Sequence, residues 1–210
     1  ALVYIFIFAA MAFVAGVAAR WFIIALLGGG AAFYLLWELD KIPDYMKERF
    51  MVVFDHNLDP LGAGWQQTRS LLALGGGKLT GQGLFHGIQT QGEYSGSLPF
   101  RYTDFIFSVI CEQCGMLFGS CVLLMYVAII WRGTSIAMAA RTRFHGLLAM
   151  GCTAMLGLQT FIIIGGVIKL IPLTGVTMPF VSYGGTSLVI LMVEMGVILS
   201  ISRYSYIERG

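Results

Sequence analysis

An all-α, polytopic membrane helix bundle is the fold this sequence predicts, with five transmembrane helices and a long polar loop between the second and third. Three observations predict it. Of the 210 residues, 58% are hydrophobic and 11% charged, whereas a soluble domain carries about 25% charged residues. The apolar residues gather into runs of about 20, the length a helix needs to cross the hydrocarbon core. Most of the charges fall between Glu38 and Asp104. The net charge of +2 gives no reason to invoke nucleic acid as a partner.

The first predicted span is Ala1–Ala19, and Arg20 alone divides it from the second, Trp21–Trp37. Gly28-Gly29-Gly30 weakens the second as a helix. Trp21 and Trp37 at its ends suit interfacial anchors. Residue 1 falls in mid-segment with no start methionine and no basic n-region, so the chain reads as the later part of something longer. Within the long loop, Lys41–Phe54 predicts a short amphipathic surface helix and Trp65–Leu74 a second. The remaining spans are Phe105–Trp131, Gly146–Ile168 and a short one from Thr186 to Ser202. Residues 1–37 thus form two membrane helices, 38–104 a large loop and 105–210 three further helices, all in one membrane domain. The Arg132–His145 turn carries Arg132, Arg141 and Arg143 with no acid, and the tail carries Arg203 and Arg209 against Glu208. Arginine-rich short loops stay in the cytoplasm. That puts the long loop and the Ile171–Gly185 connection outside.

Most side chains that suggest chemistry have a plain structural reading beside the functional one. Cys111 and Cys114 have redox or metal spacing but lie on a predicted membrane helix without a second pair, so they read as packing residues, as do Cys121 and Cys152. The run Gly75-Gly76-Gly77-Lys78-Leu79-Thr80-Gly81-Gln82-Gly83 resembles a phosphate loop only superficially, because no Ser or Thr follows Lys78. It predicts sharp bends or close backbone approach. His56, His86 and His145 lie in loops, and no His, Cys or Asp cluster has metal-ligand spacing.

Asp104 is the informative residue. It stands where the polar loop enters the Phe105–Trp131 helix, and a carboxylate at the mouth of a membrane helix is costly to desolvate. Thr103 or Asp104 also suits the N-cap of that helix. Capping and proton abstraction are compatible, with Arg101 and Lys78 as nearby cations for an anionic substrate group. Glu112 lies about 12 Å deeper along the same helix, and Glu194 lies in the last span. For both, an interhelical hydrogen bond that fixes packing is the structural alternative. Two prolines and three glycines between Pro172 and Leu188 force irregular backbone at a membrane boundary, tolerated where it lines a cavity or is buried in protein.

Two stretches together resemble the SEDS family (shape, elongation, division and sporulation; RodA- and FtsW-like proteins). One is Asp59-Pro60-Leu61-Gly62-Ala63-Gly64-Trp65-Gln66 with Gly81-Gln82-Gly83, Leu98-Pro99, Thr103-Asp104-Phe105-Ile106-Phe107 and Glu112. The other runs from Pro172 through Thr174-Gly175, Pro179-Phe180, Ser182-Tyr183-Gly184-Gly185 to Ser187. The resemblance implies a ten-helix fold of which this chain matches helices six to ten. It implies a peptidoglycan glycosyltransferase of the bacterial cell membrane that polymerises lipid II, working beside a class B penicillin-binding transpeptidase. Asp104 would be the general base on the acceptor 4-hydroxyl, with undecaprenyl diphosphate leaving toward cations. Arg101, Lys78, Gln66, Ser182, Tyr183 and Glu112 are the residues expected at the substrate. Assistance by a divalent cation (Mg2+ or Mn2+) is left open. Translocation of a lipid-linked precursor and a non-catalytic scaffold for the transpeptidase are the alternatives. The chain departs from the family pattern at Phe100, commonly Glu, at Gln113, commonly Glu, and at Ile163, commonly Asn. Residues Gln91–Ser97 look like a small insertion, and the loop around Gly87–Gln91 leans toward the elongation type.

Overall fold

A computed structural model describes residues 2–39, 41, 43, 47, 51, 63–90 and 98–207. Six helices follow one another: α1 (Leu2–Val14), α2 (Ala19–Glu38), α3 (Ala63–Gly76), α4 (Ile106–Ala139), α5 (Arg143–Val167) and α6 (Gly185–Ile207). No strand occurs among the described residues. The expected helix Lys41–Phe54 and the insertion Gln91–Ser97 lie largely or wholly outside the described residues.

Four helices, α2, α4, α5 and α6, are long and apolar enough to cross a membrane. The first predicted span is shorter than expected, because α1 has 13 residues and rises only about 20 Å. The break after it falls not at Arg20, which lies in the first turn of α2, but at Gly16, whose φ of 87° suits a residue without Cβ. Arginine at a helix start costs little, whereas the left-handed backbone ends a helix outright. The expected loop helix Trp65–Leu74 is present as α3, extended slightly at both ends.

α4 and α5 are joined by a tight turn and run antiparallel. Thr142 caps α5, its hydroxyl accepting from the His145 amide at 3.2 Å. α6 returns along both, and two apolar clusters lie along this seam. Ala137, Ala149 and Ile201 meet at the turn end, while Leu156, Leu191 and Ile198 meet further along. A third cluster closes the opposite end, where Leu98, Phe105, Phe107, Cys111, Tyr126, Ile163, Val167 and Met178 bury one another. α1 packs on α5. α2 buries none of its residues.

The expected third span is not one straight helix. α4 is 34 residues long, about 51 Å, and breaks at Gly115 (φ 89°, ψ 164°). The glycine-rich loop enters that break. In an uninterrupted helix the amides of Met116 and Leu117 would bond the carbonyls of Glu112 and Gln113. Instead, Met116 N donates to Lys78 O (2.9 Å) and Leu117 N to Leu79 O (3.3 Å). The freed Glu112 and Gln113 carbonyls accept from Gln82 N (2.9 Å) and Gly83 N (3.0 Å). Two helical hydrogen bonds are exchanged for four loop–helix ones, so an irregular backbone is fully satisfied beside apolar surroundings. The glycines follow from this contact. A Cβ on Gly77 would overlap Cys111 O, one on Gly81 would overlap Gln113 O, and one on Gly115 would overlap Leu79 O. The close approach expected of the glycine run is therefore to the backbone of α4.

Candidate active site

The site lies at the end of the bundle where α4 begins and α5 stops. Residues 99–105 form consecutive turns before α4, nucleated by Phe100 at φ 53°. The Phe100 carbonyl accepts from the amides of Thr103 and Asp104, each at 3.1 Å, and from the Thr103 hydroxyl at 3.1 Å. The helix then starts with Phe105 in the cap position and no side-chain cap. Neither Thr103 nor Asp104 serves as the N-cap that the sequence allowed. The turn around the Phe100 carbonyl has already engaged the Thr103 hydroxyl.

The Asp104 carboxylate instead faces a narrow crevice. Ile162, Ile163, Gly166 and Val167 of α5 form one wall, and residues 173–176 form the other. A Cβ on Gly175 would stand 3.8 Å from Asp104 Oδ2, and Gly175 itself has φ +68°. Half-burial among these apolar walls pushes the Asp104 pKa up from the usual carboxylate range. Ile163, the departure from the family pattern in α5, is one of the walls.

The second motif is tied directly to the first. Ser182 Oγ donates to Thr103 O at 2.6 Å and accepts from Met178 N at 2.8 Å. Tyr183 N donates to Tyr102 O at 2.9 Å. Tyr126 OH donates to Pro179 O. The Ser182 side chain, expected at the substrate, is thus occupied in holding the residue before Asp104. Tyr183 is 81% exposed. It stands at an open, largely apolar cavity of about 610 Å³ lined by Tyr102, Ile106, residues 180–185 and Leu188.

The remaining expected residues go elsewhere. Arg101 donates to Thr90 O, and its guanidinium lies 4.9 Å from the Tyr102 ring centroid. It is held three residues from Asp104 without an ion pair to it. Lys78 uses its carbonyl to satisfy α4, while its side chain is exposed. Glu112 is completely buried, and its carboxylate is the anchor of the loop. Oε1 accepts from Gln89 N (2.8 Å), and Oε2 accepts from Thr90 N (3.0 Å) and Thr90 Oγ1 (2.5 Å). Neither a substrate contact nor the interhelical bond weighed from sequence describes it. Its partners lie in a loop whose approach no periodicity signals.

Gln66 is half-buried, while its neighbour Gln67 is buried on the α4–α5 side. Gln67 Nε2 donates to Gly166 O (3.3 Å) and Ile171 O (3.4 Å). Sequence reasoning passed over Gln67, Ser70 and Thr90. The spacing Gln67, Ser70 and Ala73 marks one face of α3 and could have found the first two. Among the described residues no three His, Cys, Asp or Glu side chains converge, and the crevice around Asp104 offers no second acidic or imidazole ligand. These residues do not fit a protein-held divalent cation.

The family model FtsW/RodA/SpoVE, described as cell cycle protein, matches residues 1–207. The chain belongs to the FtsW/RodA/SpoVE family. It is 39% identical over 192 residues to the peptidoglycan glycosyltransferase MrdB of Escherichia coli (strain K12), covering 91% of this chain and 51% of that protein. It is 44% identical over 147 residues to stage V sporulation protein E of Bacillus subtilis (strain 168), covering 70% of this chain and 39% of that one. A probable peptidoglycan glycosyltransferase FtsW of Geobacter sulfurreducens (strain DL-1 / KN400) is 36% identical over 192 residues. The chain spans about half the length of these relatives. One chain of a solved peptidoglycan synthase complex, in which polymerization and crosslinking are coordinated, superposes with a TM-score of 0.76 at 27% identity. The match covers 98% of this chain and 55% of that one. FtsW/RodA/SpoVE membership and four membrane-length helices make this a multi-pass bacterial membrane protein.

Proposed function

We propose that this chain supplies the catalytic carboxylate of a peptidoglycan glycosyltransferase that polymerises lipid II. The observation that carries the reading is Asp104, freed from capping, desolvated, and aimed into a crevice between α5 and the second family motif. A carboxylate whose pKa is raised by desolvation is, once ionised, a stronger base than a solvated one. Asp104 accepts the proton of the acceptor sugar 4-hydroxyl as that oxygen bonds the donor anomeric carbon. The bond from that carbon to the diphosphate oxygen breaks, and undecaprenyl diphosphate leaves with the electron pair.

The diphosphate departs charged and needs cations rather than an acid. Arg101 suits this, since one of its N–H groups is fixed on Thr90 O and the others are spare. The exposed Lys78 side chain suits the same anion. The apolar cavity beside Tyr183 suits the head-group end of a polyprenyl chain whose tail stays in the bilayer, with the Tyr183 ring and hydroxyl at its mouth. Lipid tails stay in the membrane while sugars project from it, so the reading places this end of the bundle on the outer face of the cell membrane. Residues 38–104 then form its extracytoplasmic loop, and a class B penicillin-binding protein is the partner in crosslinking.

Translocation of the lipid precursor would need polar groups through the membrane. One of the two acids available for that, Glu112, is fully engaged by Gln89 and Thr90. In the full-length protein, Asp104→Asn is expected to abolish glycan polymerisation from lipid II while leaving the protein folded in detergent. Unchanged polymerisation by the purified variant defeats the reading, and vesicles that translocate fluorescent lipid II without polymerising it favour the transporter.

A further inference from the structure

α5 ends at Val167, and backbone amides just beyond it take some of its last carbonyls: Ile168 N donates to Ile164 O (2.9 Å), Leu170 N to Gly165 O (2.7 Å) and Lys169 N to Gly166 O (3.2 Å). Three of the carbonyls around that end are taken by α3. Gln67 Nε2 holds Gly166 O and Ile171 O at 3.3 and 3.4 Å. Ser70 Oγ donates to Val167 O at 3.1 Å. Ser70 Oγ also lies 2.7 Å from Ser108 Oγ. A hydroxyl has one proton, and a carbonyl can only accept, so Ser70 gives its proton to Val167 O and Ser108 donates to Ser70.

The chain of bonds therefore runs from α4, one turn after Asp104, through α3, to the α5 wall of the crevice that Asp104 faces. Gly166 and Val167 are both members of that wall. Ser70 and Ser108 are fully buried, and Gln67 is 1% exposed. Gln67 Oε1 is left without a partner. Three buried polar side chains, one with an unsatisfied acceptor, are an expensive way to glue helices that apolar residues could pack. What they provide is a fixed distance, because directional bonds define separation more sharply than apolar contact.

We infer that Gln67, Ser70 and Ser108 are positioning residues for Asp104, holding its turn at a set separation from the α5 wall of the crevice. The inference rests on the reading of Asp104 as the general base. A base must stand within hydrogen-bond reach of the proton it takes, and a displacement of about 1 Å costs on the order of a hundredfold in rate.

The test is made in the full-length protein with lipid II as substrate. Ser70→Ala and Ser108→Ala are each expected to lower kcat about 10- to 100-fold with KM within about twofold. The double variant is expected to be no worse than the poorer single one, since both remove the same link. Ser108→Cys, which keeps a weak donor at similar volume, is expected to recover part of the rate and covers the event that an alanine variant folds poorly. An unchanged kcat, a KM effect without a kcat effect, or losses that only follow the amount of folded protein overturn the inference. Asp104→Asn in the same preparation separates the two ideas. If it is inactive while Ser70→Ala is unaffected, only the positioning role falls. If it still polymerises, the base reading and the positioning role fall together.

Discussion

Replacing Glu112 by Gln tests whether one buried carboxylate holds the loop that in turn holds Arg101. The substitution changes almost no volume, so packing stays constant. Two backbone amides and one hydroxyl converge on the two carboxylate oxygens. Glutamine offers an oxygen at only one of these positions and a second donor at the other. The less costly orientation puts the new nitrogen against Gln89 N–H, because the Thr90 hydroxyl sits with Thr90 N on the remaining oxygen. One buried amide is then orphaned, and the surviving bonds lose their ionic character. A hydrogen bond to a charged group contributes about 1.5–3 kcal/mol, and an orphaned buried donor costs about 1–3 kcal/mol. A local loss of about 2–4 kcal/mol follows, or roughly 30- to 700-fold at 1.4 kcal/mol per tenfold. Local opening of the loop should rise by that factor, and hydrogen exchange reads it. The amides of Gln89 and Thr90 are expected to exchange faster by about that ratio, and Leu98, whose amide donates to Gln89 O at 2.9 Å, should follow. Exchange in α6 should stay unchanged. A change at Gln89 and Thr90 below about threefold, or an equal change in α6, refutes the reasoning.

Gly115→Ala meets two penalties at once. Its φ of 89° and ψ of 164° cost an L-residue about 1–3 kcal/mol, and the new Cβ overlaps the Leu79 carbonyl oxygen and stands 2.6 Å from Gly81 N. Loss of the loop–helix junction and a much lower thermal unfolding midpoint are expected, and an unchanged midpoint counts against the junction. Ser182→Ala orphans Met178 N–H and frees Thr103 O, a loss of about 1–3 kcal/mol that should appear both in thermal unfolding and as a lower polymerisation rate. The pH dependence follows from Asp104. Its folded pKa is raised by desolvation, and only its ionised form is a base. Polymerisation should therefore fall as pH drops through that raised value, and Ile163→Asn, which opens the apolar wall, should move this acid limb to lower pH. For stability the sign is the reverse. Between the unfolded and folded pKa values the folded state holds more protons, so this group's contribution weakens as pH rises through that window. Asp104→Asn, which removes the charge, should unfold at a slightly higher temperature than the parent at neutral pH.

The membrane class, the α3 loop helix and the spans of α5 and α6 were legible from composition and run length, because crossing a hydrocarbon core demands long apolar helices whatever their neighbours. The prominence of Asp104 was legible for the same reason, since a carboxylate at such a boundary is costly. Arg20 misled as a helix divider because charge alone does not bend a backbone, while Gly16 beside it does. The glycine run from Gly75 to Gly83 announced close approach but not to what.

Only the tertiary structure decided those partners. Lys78 and Leu79 meet Met116 and Leu117 of α4, and Gln82 and Gly83 meet Glu112 and Gln113, all far apart in sequence. Glu112 reaches back to Gln89 and Thr90, and Ser182 reaches Thr103 O across 79 residues. Hydrogen bonds at such separations are set by where whole helices pack, so no local period carries them. The sequence by itself determined that a costly acid sits at the mouth of a membrane bundle. The packing of α3, α4 and α5 decided that this acid caps nothing and faces the Gly175 loop.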